Sequence, residues 1–263
     1  MTIEFVTDTV QLHVNGRVAT VEMNRPDSLN SLNVEMLKGL AAILTEISQS
    51  DEVEIVVLKG KGRAFSSGGD IKTMLLEANE SDFPIVMDYI NEVVVSLYTM
   101  PKLTISAVQG AAAGLGLSIA LATDYIIADK TSKLAMNFIG IGLIPDGGGH
   151  YFLEKRLGEN KAKHLIWEGK PLSAEEAYQL GLIHEVVESP LEEAVESKLQ
   201  RLLSSPVLAM IETKKVYAEK NLPQLLSVLE LEKEGQRKMR QTTDHQEGIQ
   251  AFLEKRRPVF TGK

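Results

Sequence analysis

In the stretch IGLIPDGGGH (141–150) a single carboxylate, Asp146, stands between a proline and three glycines, behind a run that is apolar apart from Gly142. An aspartate so placed is either a turn residue or helix cap that accepts backbone hydrogen bonds, or a general base set in an apolar wall. His150 follows four residues later, a spacing that shares one face where the chain is helical. Two other stretches, KGKGRAFSSGGD (59–70) and QGAAAGLG (109–116), are rich in glycine, and each follows an apolar run of β character. Glycine lets a backbone approach a ligand closely, and the first N–H groups of a helix point outward without partners. Two such turns at the ends of parallel strands can aim two N–H donors at one oxygen. Neither is a phosphate loop: GxxxxGK[ST] does not occur, and GLGLS is not a GxGxxG opening a dinucleotide unit. The chemistry they suit is an oxyanion hole.

The rest of the composition narrows the class. A chain of 263 residues, 44% hydrophobic and 24% charged, can bury one full core. It has no cysteine, which excludes disulfides, thiolate metal sites and a cysteine nucleophile. The five histidines, at 13, 150, 164, 184 and 245, have no metal-ligand spacing, so no metal is expected. A net charge of −8 argues against a nucleic-acid surface; the one dense basic cluster is EKRR at 254–257. No apolar run reaches the roughly 18 residues of a membrane span, and the start lacks a signal-peptide pattern, so a cytoplasmic protein without a membrane partner is expected.

These groups need a scaffold. Along the first half, RVATVEMN, NVEMLKGLAAILTEIS, VEIVVLKG, DIKTMLLEA, LTISAVQG, LGLSIALATD and YIIAD alternate β and helical patterns, which predicts parallel strands joined by right-handed crossovers. IVVLKG and LTISAVQ are nearly continuous apolar runs, as strands covered on both faces should be. SAEE at 173–176 is a capping-box pattern. Beyond about residue 190 the β signal ends and four helices are predicted, near 190–204, 206–220, 222–240 and 242–256, punctuated by Pro190, Pro206 and Pro223.

NRPDSLNSLN (24–33), GRAFSSGGDIKTM (62–74), PKLTISAVQGAAAGLGLSIALATDYIIAD (101–129), IGLIPDGGG (141–149), LSAEEAYQLGLIHEVV (172–187) and DHQEGIQAFLEKRRPVF (244–260) together resemble the enoyl-CoA hydratase/isomerase, or crotonase, superfamily, in order and over nearly the whole chain. The resemblance implies an α/β fold with a crotonase-like core of stacked ββα units over residues 1–190, which carries the acyl-CoA site, and a C-terminal helical trimerisation region over 191–263. It implies an acyl-CoA thioester as substrate, with CoA part of the substrate and no separate cofactor, and assembly as a homotrimer or a dimer of trimers.

Carried over by position, the two oxyanion donors are the backbone N–H groups of Gly69 and Leu115, with Ser67, Gly68 and Gly114 beside them at the substrate. Many members have glycine where Leu115 stands; leucine keeps the N–H but its side chain would narrow the site. Family contacts to CoA imply Arg25, Ser28, Asp70, Ile71 and Lys72, while Asp27 stands where relatives often carry lysine and disfavours an anionic nucleotide there. Phe252 and Lys255 match residues that reach the CoA nucleotide, often from another subunit; the competing reading is a solvated basic helix end.

Family hydratases carry two glutamates, and this chain has Ser118 and Phe138 at those positions. Hydration needs one group to activate water and one to deliver a proton, which neither residue supplies; both are instead candidate substrate contacts. In some isomerases of the superfamily, including dienoyl-CoA isomerases and the ring-opening isomerases of phenylacetate breakdown, an aspartate at the place of Asp146 is the acid/base. The resemblance therefore implies an acyl-CoA isomerase that shifts a double bond or opens a ring through Asp146. Related dehalogenases use an aspartate here as nucleophile, paired with a histidine early in the chain, but no histidine lies between His13 and His150. The remaining alternatives are an enoyl-CoA hydratase using other groups and a catalytically silent CoA-ester-binding protein.

Overall fold

The computed structural model describes residues 5–72, 80–188 and 190–263. The chain opens with β1 (Phe5–Val6), β2 (Val10–Asn15) and β3 (Val18–Met23). Helix α1 (Val34–Gln49) leads to β4 (Ile55–Gly60), α2 (Phe83–Thr99) to β5 (Leu103–Val108), and, after the short β6 (Ala111–Ala113), α3 (Leu115–Leu121) leads to β7 (Tyr125–Asp129). There follow β8 (Lys133–Ala135), α4 (Gly149–Leu157), α5 (Glu159–Glu168), β9 (Leu172–Ser173), α6 (Ala174–Gln179) and β10 (Glu185–Val187). Three helices close the chain: α7 (Leu191–Leu203), α8 (Val207–Met239) and α9 (Thr243–Leu253).

Seven strands form one sheet in the order β1-β2-β3-β4-β5-β7-β10, parallel from β3 onward, with β1 and β2 antiparallel at the edge. A smaller sheet has the order β6-β8-β9. The predicted parallel arrangement is thus joined by an antiparallel hairpin of β2 and β3, and by α2, neither of which the alternation of patterns separates out. The expected helix over DIKTMLLEA falls largely outside the described residues; Ile71 and Lys72, at its start, are helical.

The apolar runs are covered on both faces. Ile55, Val57, Ile105, Ala107 and Ile127 pack against Leu191, Val195 and Leu199 of α7, whereas Val56, Leu58, Val108 and Ile126 belong to the main core with α1 to α4. Alternate side chains of one strand point to opposite faces, so each strand serves both layers. Helix α1 buries Met36, Leu37, Leu40, Ile43, Leu44 and Ile47, a helical stripe, and is started by Asn33, whose side chain accepts the Met36 N–H at 2.9 Å.

The two helices expected on either side of Pro223 are one helix of 33 residues that runs through the proline. Proline removes one N–H and costs about 3 kcal/mol in a helix interior. Ala218 before it and Leu225 and Leu229 after it are buried, and each buried leucine contributes roughly 2 kcal/mol, so packing on both sides outweighs the break.

Candidate active site

Parallel strands β4 and β5 release the chain at the same edge of the sheet, into the two glycine-rich turns. There the turns pair with each other: Ser66 N–H donates to Ala111 O (2.9 Å) and Ala113 N–H to Ser66 O (3.0 Å). The first turn is also clipped to the NRPDSLN segment, since Leu32 N–H donates to Gly68 O (2.8 Å) and Asp70 N–H to Leu32 O (3.0 Å). These bonds use the groups on either side of Gly69 and leave its own N–H unused. On the second turn, Gly114 N–H donates to Ala135 O (2.8 Å), and Leu115 begins α3, where no carbonyl lies behind it. Gly114 has φ +51 and ψ −125, a conformation that side chains disfavour, and this turns the chain sharply into the helix. Among the described residues neither the Gly69 nor the Leu115 N–H donates to another group.

Both amides line a cavity of about 620 Å³. Its apolar walls come from Phe83, Val86, Met87 and Ile90 of α2, from Phe138 and Leu143, and from Phe252 and Leu253 of α9. Gln236 and Arg240 of α8 also reach it. Helix α9 is seated by close contacts: a methyl on Gly248 would stand 2.6 Å from Ile141 Cα, and the His245 ring bonds Ile141 O at 2.7 Å through Nδ1.

Among the described residues three carboxylates border the cavity, and their settings differ. Asp70 is paired with Arg25 (2.9 Å) and accepts the Ser31 hydroxyl (3.2 Å), and Glu168 is exposed, beside Lys170 (3.3 Å). Asp146 is 8% exposed, and its buried Oδ1 has no hydrogen-bond partner among the described residues. Burial, reinforced by the nearby charge of Glu232, pushes its carboxyl well above the usual carboxylate range. Asp146 is therefore the carboxyl placed to exchange a proton with a bound molecule.

The turn that carries it is held by groups other than its own side chain. Asp146 O accepts the Ser118 hydroxyl at 2.7 Å and the Gly149 N–H at 3.1 Å. The cap residue of α4 is Gly148, which has no side chain to offer. Instead the carboxylate of Glu232, on α8, accepts the N–H groups of Gly148 (2.7 Å) and His150 (3.0 Å), and lies 2.7 Å from His150 Nδ1. Asp146 thus forms no side-chain cap of the helix that follows it.

The structure brings Ser67, Gly68, Gly69, Asp70, Ile71, Lys72, Gly114, Leu115, Phe138, Asp146 and Phe252 to one cavity. Four expected contacts lie elsewhere. Ser118 is fully buried and spends its hydroxyl on the Asp146 carbonyl, so it supports the turn from behind the cavity wall. Arg25 is committed to Asp70 and to Ser31, whose carbonyl it meets at 2.5 Å. Ser28 bonds the Arg25 carbonyl through Oγ at 3.1 Å. Lys255 follows the end of α9 with φ +55 and is not on the wall. Nor does the Leu115 side chain narrow the space as expected: it is 1% exposed and packs under the Asp146 turn.

Sequence reasoning passed over Glu232, Asn30 and Ser66. Asn30 is fully buried and donates to Lys61 O (2.9 Å) and Ala64 O (2.8 Å), which ties NRPDSLN to the first glycine turn. Ser66 donates to Asn30 O (2.8 Å) and accepts the Gly68 N–H (3.2 Å). Both lie in motifs, NRPDSLN and GRAFSSGGD, whose signal comes from the neighbouring residues. Among the described residues no group of three or more His, Cys, Asp or Glu side chains is placed to hold a metal, and no helix is long and apolar enough to cross a membrane.

A paired-amide notch beside a buried carboxyl, on this fold, has a recognisable kin. The family model of enoyl-CoA hydratase/isomerase matches residues 13–263, and the chain belongs to that family. It is 51% identical over 251 residues to YhaR of Bacillus subtilis (strain 168), whose name leaves hydratase and isomerase unseparated, covering 95% of this chain and 98% of that one. It is 35% identical to the 1,2-epoxyphenylacetyl-CoA isomerase of Escherichia coli (strain K12), over 95% and 97% of the two chains. The crystal structure of an enoyl-CoA hydratase from Mycobacterium avium subsp. paratuberculosis K-10 superposes with a TM-score of 0.88 at 33% identity, covering 96% of this chain and 98% of that one.

Proposed function

We propose that this protein is an acyl-CoA isomerase that shifts a double bond or opens a strained ring by moving a proton with Asp146. The observation that carries the reading is the setting of that carboxyl: buried, unpaired at Oδ1, and on the wall of the cavity that also holds the Gly69 and Leu115 amides. With the thioester oxygen between the two N–H donors, ionised Asp146 takes a proton from one carbon of the acyl group. The electron pair left behind spreads into the thioester as an enolate or dienolate, and its negative charge falls on the oxygen that the amides hold. Each preorganised donor is worth about 3 kcal/mol to such a state. Protonated Asp146 then returns the proton: to a different carbon in a double-bond shift, or, where the electron pair has instead broken a strained ring bond, to the ring atom that received that bond's electrons; no water enters the balance.

The surroundings support this over hydration. At the two positions of the family's glutamates stand Ser118, whose hydroxyl is engaged by a carbonyl, and Phe138, which makes that wall apolar. Desolvation by this wall makes Asp146 a stronger base once ionised. The apolar side formed by α2 suits an aliphatic or aryl acyl group. The similarity to the 1,2-epoxyphenylacetyl-CoA isomerase agrees with a reaction of this type. Assembly as a homotrimer or dimer of trimers belongs to the same reading.

Incubation with 3-enoyl-, 2-enoyl-, dienoyl- and arylacetyl-derived CoA esters in deuterated water tests it. The expected product is an isomer of the same composition, with any deuterium at the carbon that gains the proton. A 3-hydroxyacyl-CoA as the main product assigns water addition instead, and no turnover of any class leaves CoA-ester binding.

A further inference from the structure

We propose that Glu232 is a positioning residue for Asp146: it fills the anion seat at the start of α4 that the aspartate would otherwise take, and so leaves the Asp146 carboxyl to the substrate. The open N–H groups at a helix start attract a carboxylate, through capping bonds and the helix dipole, and Asp146 is close by in the chain, two residues before the cap Gly148. Here those donors are occupied. Glu232 is 2% exposed and accepts from Gly148 N–H, His150 N–H and the His150 ring, three bonds that offset the cost of burying its charge. The turn is short and its carbonyl is fixed by Ser118, so the Asp146 side chain is left against the cavity with Oδ1 unpartnered.

The second consequence is electrostatic. Asp146 faces the charge of Glu232 from α8, and Glu232 in turn faces His150 from α4. The α2 residues at the cavity, Phe83, Val86, Met87 and Ile90, carry no charge; of the two α2 carboxylates, Asp88 is paired with Lys233 (2.5 Å) and Glu92 is exposed. Arg240, Asp70, Lys72 and Glu168 border the same cavity, and His245 on α9 is turned to Ile141 O. A charge beside a buried carboxyl disfavours its ionisation, so Glu232 raises the pH at which Asp146 becomes the ionised base.

The effect on turnover rests on the proposed role of Asp146; the effect on its acidity does not. The test is therefore an NMR titration of isotope-labelled aspartate carboxyls, assigned with Asp146→Asn, in the wild-type chain and in Glu232→Gln, beside the pH profile of turnover. Glu232→Gln keeps one acceptor for the helix and loses the charge. The expected result is a downward move of the Asp146 titration by about one pH unit, with the acid limb of kcat following it and KM unchanged. A folded Glu232→Gln chain in which Asp146 titrates as in the wild type overturns the proposal. Should the variant not fold, Glu232→Asp, which draws the charge back from the start of α4, is titrated instead: a lowered Asp146 titration supports the proposal, and one unchanged from wild type overturns it. If the titration moves but Asp146→Asn keeps full turnover, the isomerase reading fails and the coupling stands.

Discussion

Leu115 and Gly147 touch: a methyl on Gly147 would stand 2.7 Å from Leu115 Cδ1. The residue with the proposed oxyanion N–H is thereby packed against the residue that follows the proposed acid/base, so the two halves of the proposed site share one contact. Gly147 also has φ +61, which a side chain resists.

Gly147→Ala is therefore expected to destabilise the chain by about 1–3 kcal/mol and to lower turnover by displacing Asp146 from the amides. Chemical denaturation and steady-state rates read both. An alanine variant with wild-type stability and rate would show that the packing of Leu115 does not place the acid.

Much of this site was legible in the sequence, and its limits have a physical cause. Gly69, Leu115 and Asp146 lie in short motifs whose chemistry is local: a turn, a helix start, an acid among glycines. The position of Ser118 on α3 is visible in the sequence and suggests a substrate contact, but the direction of its hydroxyl is not visible there. Glu232 left no signal, since it looks like one of many acids on a long charged helix and gains its meaning only where α8 crosses α4. Pro223 suggested a break because local propensity is read from the sequence and the burial that overrides it is not.

Ser118→Ala removes the hydroxyl that holds the Asp146 carbonyl. A loss of about 1 kcal/mol in stability is expected, together with a fall in kcat of roughly tenfold or less, and KM for the acyl-CoA should stay unchanged because Ser118 is behind the wall. A rise in KM with kcat intact would return Ser118 to the substrate.

Stability should also report the strained acidity of Asp146. A carboxyl whose folded value lies above its ordinary 3.8 favours folding below that value, and the contribution is lost as pH rises through the folded value. Asparagine has no such dependence. The Tm of Asp146→Asn relative to wild type should thus grow from near zero in acid to a constant positive difference above the Asp146 titration. A difference that shrinks as pH rises would mean that Asp146 is stabilised as an anion.

Along the C-terminal helices Leu208, Val216, Tyr217 and Leu231 are exposed by 62–70% of their surface. Exposed apolar side chains of this size, all on α8, call for cover. Sedimentation at micromolar concentration should give a trimer or a dimer of trimers; a monomer would contradict the proposed assembly.

The most direct measurement is the turnover of Asp146→Asn on the isomerised CoA ester, taken with its affinity for that ester. Asparagine keeps the size of the side chain and cannot carry the proton. The account predicts unchanged affinity and a kcat lowered by roughly 10²-fold or more, the scale of losing a general base. Turnover equal to wild type would contradict it and would leave Asp146 a residue of the turn.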